Sequence, residues 1–69
     1  MSFIEFLDIN RLPYVAERVC TPSGLRVAVV RYIFDCYNNY VVVIPEGSEM
    51  EIQWTLDQLK QCKRKGGRW

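Results

Sequence analysis

Sixty-nine residues, 49% hydrophobic and 25% charged with a formal net charge of +1, describe one small globular domain and exclude a disordered tail. A chain this short buries only about 60% of the surface its unfolded form exposes, so a stability of a few kcal/mol is expected. The sequence has no histidine, which removes the usual general base, the common serine and cysteine triads and the most frequent transition-metal ligand.

Ser2 to Asn10 reads as one or two turns of helix, with Ser2 as cap and Glu5 three residues on, the capping-box spacing. Phe3, Ile4, Phe6 and Leu7 share one face of that helix. An edge strand is the competing assignment. Pro13 ends the element, because it disfavours the helical region for Leu12 before it. Glu17 to Cys20 then reads as a short strand. It is closed by Thr21-Pro22-Ser23-Gly24, where proline supplies the fixed φ of a turn and glycine the left-handed position.

Leu25 to Asp35 is rich in β-branched and aromatic residues and reads as a long strand. Cys36-Tyr37-Asn38-Asn39 turns the chain, and Tyr40 to Ile44 returns antiparallel. Pro45-Glu46-Gly47-Ser48 is a further turn. Met50 to Trp54 alternates apolar and polar residues, which predicts a half-buried strand. Thr55 caps a terminal helix with Gln58 three residues on, and Leu56 and Leu59 face back to the strands. The helix is expected to continue through Gln61 and Cys62 until Gly66-Gly67 stops it.

Connections this short forbid parallel crossovers, so the sheet is expected to be antiparallel. With no helical layer to cover its apolar face, such a sheet is expected to curl on itself. The expected fold is mainly β: a small antiparallel barrel of four to five strands. Residues 1–12 form an N-terminal helical or edge element, 13–60 the barrel, and 61–69 a basic tail.

The motif residues support two resemblances. Glu17-Arg18-Val19, Thr21-Pro22-Ser23-Gly24, Val30, Ile33, Tyr40 to Val43, Trp54 and the Leu56 to Leu59 turn resemble the SH3-like small β-barrels, including KOW-type domains. The small residue expected three places after the turn glycine falls four places on, at Ala28, which implies a bulge or a different register. Such barrels occur in phages, plasmids and ribosomal or transcription proteins, and the resemblance implies a binding module. Separately, Phe3-Ile4, Phe6-Leu7, Leu12, Tyr14, Val19 and Gly24 are similar to the start of a small type I-F anti-CRISPR protein of phages. That likeness implies an inhibitor of a host defence complex, although a contact tyrosine of that family falls on Cys20 here.

No catalytic residues and no cofactor are expected. Cys20, Cys36 and Cys62 are an odd number without CxxC spacing, which argues against a disulfide framework and a zinc site. No phosphate-binding glycine loop is present. Asp8, Glu17 and Glu51 are scattered carboxylates, and an enzyme is not expected. No stretch reaches the roughly 20 apolar residues of a membrane span, and the N-terminus lacks the basic start of a signal peptide, so a cytoplasmic protein without membrane partners is expected.

Two features point to binding. Tyr32, Phe34, Tyr37 and Tyr40 place four rings around one hairpin, and Tyr32, Tyr37 and Tyr40 are the candidate protein-binding anchors. The second feature is charge. Residues 1–59 carry four basic against eight acidic side chains, whereas Lys60, Lys63, Arg64, Lys65 and Arg68 follow with no acid. These cations, with Trp69 to stack on a base, are candidates for steering or nucleic-acid binding. A protein partner is the preferred expectation, with nucleic acid through the tail and self-association as alternatives.

Overall fold

Ser2 takes an extended backbone conformation, and its hydroxyl accepts the Glu5 amide at 3.1 Å, opening helix α1 (Phe3–Ile9). The computed structural model describes residues 2–64. The N-terminal element is therefore helical, and the edge-strand alternative falls away. Its end is a Schellman turn. The Leu12 amide donates to the Leu7 carbonyl at 2.8 Å and the Arg11 amide to that of Asp8 at 3.2 Å, with Arg11 left-handed at φ 55°. Leu7 and Leu12, the two side chains such a turn brings together, are both fully buried.

After α1 come β1 (Arg18–Cys20), β2 (Arg26–Phe34), β3 (Asn39–Pro45), β4 (Ile52–Thr55), α2 (Leu56–Lys60) and β5 (Lys63–Arg64). The β1–β2 connection forms as expected. Gly24 sits at φ 95° and donates to the Thr21 carbonyl at 2.9 Å, while the Thr21 hydroxyl accepts the Leu25 amide. At α2, Thr55 and Gln58 complete a reciprocal capping box.

All strand pairs are antiparallel, in the order β4-β3-β2-β1-β5. The fold is thus mainly β, with a short N-terminal helix and a C-terminal helical turn. The expected barrel does not close. The edge strands β4 and β5 lie at opposite ends of the sheet and do not pair among the described residues. The reason is the cover. Val19, Val27, Val29, Val41 and Val43 form one apolar face, and Leu7 and Leu12 from the N-terminal segment with Leu59 and Cys62 from the C-terminal one complete a single core with it. Helical segments supply the layer that closure would otherwise provide.

The terminal helix also departs from expectation. It stops at Lys60, with Gln61 as its cap, and the chain turns into β5, pairing Cys20 with Lys63 and Val19 with Arg64. The Gly66-Gly67 stop lies outside the described residues. The strand expected from Met50 begins only at Ile52, and Met50 is 76% exposed.

Strand β2 carries one extra residue. Val29 pairs with Val43 but Arg31 with Val42, so Val30 has no partner on β3. Val29 is also gripped from the other side, accepting from the Ala16 amide and donating to the Glu17 carbonyl, with Ala16 at φ 75°. The bulge inverts the strand's facing. Before it Val27 and Val29 point to the core; after it Tyr32 and Phe34 do, and Arg31 points away. There Arg31 forks onto Glu51 at 2.7 and 3.2 Å, lying over Val42.

Two predictions follow from these local geometries. Arg11→Gly relieves a left-handed position costing about 1–2 kcal/mol, offset by about 0.5–1 kcal/mol of chain entropy, so urea unfolding should show a gain of up to about 1.5 kcal/mol. A loss of stability would contradict the strain. Burial pushes the Cys62 thiol above its ordinary range, and neighbouring Cys20 adds to the rise. The native state then holds a proton that the unfolded chain releases, so this stabilisation is complete below the ordinary thiol pKa of about 8.5 and falls as pH rises above it. The stability difference between wild type and Cys62→Ala should therefore narrow in alkaline solution, and a constant difference would contradict it.

Candidate interaction surface

Because the bulge turns Tyr32 and Phe34 inward, both rings meet α1 near the turn end of the β2–β3 hairpin. They stack on each other with centroids 6.3 Å apart and planes 4° from parallel. Phe3 meets Tyr32 and Phe34 edge-on at 5.7 and 6.0 Å, and Phe6 meets Phe34 at 5.1 Å. Beneath them the Tyr32 hydroxyl donates to the Pro13 carbonyl at 2.6 Å, tying the post-helix loop to β2. The Tyr14 hydroxyl donates to Asp8 and ties the same loop back to α1.

The four-ring cluster is only partly sheltered. Phe6 and Tyr32 pack on the core, whereas Phe3 is 43% and Phe34 48% exposed. Tyr37, at the hairpin tip, is 88% exposed. Together these rings present an aromatic edge where α1 and the hairpin meet.

The three tyrosines expected to act together do not share one surface. Tyr32 pairs with Val41 on the core side, while Tyr40 pairs with Ile33 and Thr55 on the opposite side and is half-buried. Tyr37 stands alone at the tip. The half-exposed rings toward the turn end of the hairpin are Phe3 and Phe34, which the sequence reading did not single out as anchors. Their signal was available: Phe3, Ile4, Phe6 and Leu7 load one short helix with more apolar surface than so small a core covers. The packing of α1 beside the hairpin, which no local pattern announces, brings Phe3 and Phe6 to Phe34.

Of the basic residues, Lys60 and Lys63 are exposed, and Lys63 and Arg64 form β5. Lys65, Arg68 and Trp69 lie outside the described residues. Among the described residues, no group of three histidine, cysteine, aspartate or glutamate side chains is placed to hold a metal ion. Nor is any helix among them long and apolar enough to cross a membrane. Cys20, Cys36 and Cys62 are free thiols. No family model, curated protein or solved structure matches the chain, so the resemblances to SH3-like barrels and to the anti-CRISPR protein rest on their motif residues alone.

The roles of the rings separate in a stability measurement. Tyr32→Phe removes the bond to Pro13 and should cost about 0.5–1.5 kcal/mol. Tyr37→Ala should change unfolding free energy by less than about 0.5 kcal/mol. A large loss from Tyr37→Ala would give that ring a packing role and remove it from the contact surface.

Proposed function

We propose that this chain is a small non-catalytic binding module that engages a protein partner through the aromatic edge of Phe3, Phe34 and Tyr37. One observation carries the reading: Phe3 and Phe34 pack on each other yet leave nearly half their surface in water, beside a hairpin tip whose tyrosine is almost fully exposed. Aromatic side chains bury large areas at low entropic cost and dominate interface hot spots, so a cluster left this open fits a surface that a partner completes. The absence of histidine from the sequence agrees with a binding role over a catalytic one. Lys60, Lys63, Arg64, Lys65 and Arg68 would then contribute by steering encounter.

The test compares the wild-type chain with the Phe34→Ser/Tyr37→Ser double variant as affinity baits in nuclease-treated extract, after melting curves have shown both folded. A protein retained by the wild type and lost by the variant is the expected result. Equal retention by both baits overturns the proposal.

A further inference from the structure

The outward face of the sheet, away from the helices and from the aromatic edge, carries a cluster of cations. Paired residues on adjacent strands share a face, so Arg18 stands beside Ala28 and Arg26 beside Cys20, while Cys20 is flanked on its other side by Lys63 of β5. Arg18 and Arg26 border an open groove of about 230 Å³, with Ala28, Ile44 and Pro45 also lining it and Glu46 as its acidic residue.

These arginines differ from Arg31. Arg31 is committed to Glu51 by two hydrogen bonds, whereas Arg26 lies 3.9 Å from Glu46, beyond hydrogen-bonding reach, with 60% of its side chain exposed. Arg18 has no ion pair among the described residues. Two guanidinium groups thus border the groove against a single loosely held carboxylate. The charge is unbalanced.

We propose that this groove binds an extended acidic segment of a partner protein, with carboxylates at alternate positions and an aliphatic side chain beside them. Alternate residues of an extended strand recur at about 6.7 Å, and diagonal positions on an antiparallel pair, such as Arg18 and Arg26, lie about 7–8 Å apart. Two carboxylates of one strand therefore meet two guanidinium groups in register, each pair suited to bidentate bonding. Ala28, Ile44 and Pro45 offer an aliphatic side chain its seat, and the groove's lining has no aromatic ring on which a nucleic-acid base would stack, which favours peptide over single-stranded nucleic acid.

The experiment is an NMR titration of the isotope-labelled full chain with a capped Leu-Ser-Glu-Ser-Glu peptide, its glutamine counterpart, and an oligothymidylate. The proposal expects saturable shifts at Arg18, Arg26, Ala28 and Ile44 with the glutamate peptide and none with the glutamine peptide. Arg18→Gln and Arg26→Gln each replace an exposed side chain, and each should weaken binding at least tenfold in a spectrum that remains dispersed. Phe34→Ser should leave peptide affinity unchanged, which separates this groove from the aromatic edge. No saturable shift at millimolar peptide, equal binding of the glutamine peptide, or tighter binding of the oligothymidylate in the groove overturns the proposal.

Discussion

The single unpaired residue at Val30 fixes which side of β2 meets the core. A strand alternates its side chains with a period of two, so one inserted residue exchanges the faces of everything beyond it. Unbroken alternation from Val27 and Val29 would bring Arg31 inward and send Tyr32 and Phe34 outward. A charge would enter the apolar layer, at a cost of several kcal/mol in a domain whose whole stability is expected to be of that order. With the bulge, Arg31 reaches Glu51 in solvent and the two rings reach α1.

Much else depends on that exchange. The Tyr32 hydroxyl finds the Pro13 carbonyl only because the ring points inward, and this bond holds the segment that delivers Leu7 and Leu12 onto the sheet. Leu59 and Cys62 cover the same sheet face from the other end of the chain. A five-stranded sheet covered in this way has no need to close. Its outward face keeps Arg18 and Arg26 available, while the aromatic edge lies at the far end of β2 on the other face.

The strands, the Thr21 to Gly24 turn and both helix caps were legible because each is written locally: β-branched runs, a proline and glycine at turn positions, and a hydroxyl three residues before its amide donor. Ala28 falling one place late hinted at an irregularity in β2, but local pattern cannot say which residue is extra. The cover of the core was not legible, since α1 and α2 are too short to announce a layer. Nor was β5: Lys63 and Arg64 have no periodicity of their own and become a strand only through the free edge of β1. The candidate tyrosines were grouped by proximity in sequence, whereas pairing puts Tyr32 and Tyr40 on opposite faces.

The two proposed surfaces lie on opposite sides of one sheet, the aromatic edge on the face that the helices cover and the cationic groove on the outward face. Arg18, Arg26 and Ala28 lie on the part of the sheet before Val30, but the aromatic edge rests on the facing of β2 beyond it. That facing is read most directly from nuclear Overhauser contacts of the Phe34 ring in the labelled chain. Inversion at Val30 predicts cross-peaks from Phe34 to Phe3 and Phe6, whose ring centroids lie 6.0 and 5.1 Å away. Cross-peaks from Phe34 to outward-face residues such as Tyr40, with none to α1, would mean that alternation runs unbroken through β2 and would contradict the inward facing from which the aromatic edge follows.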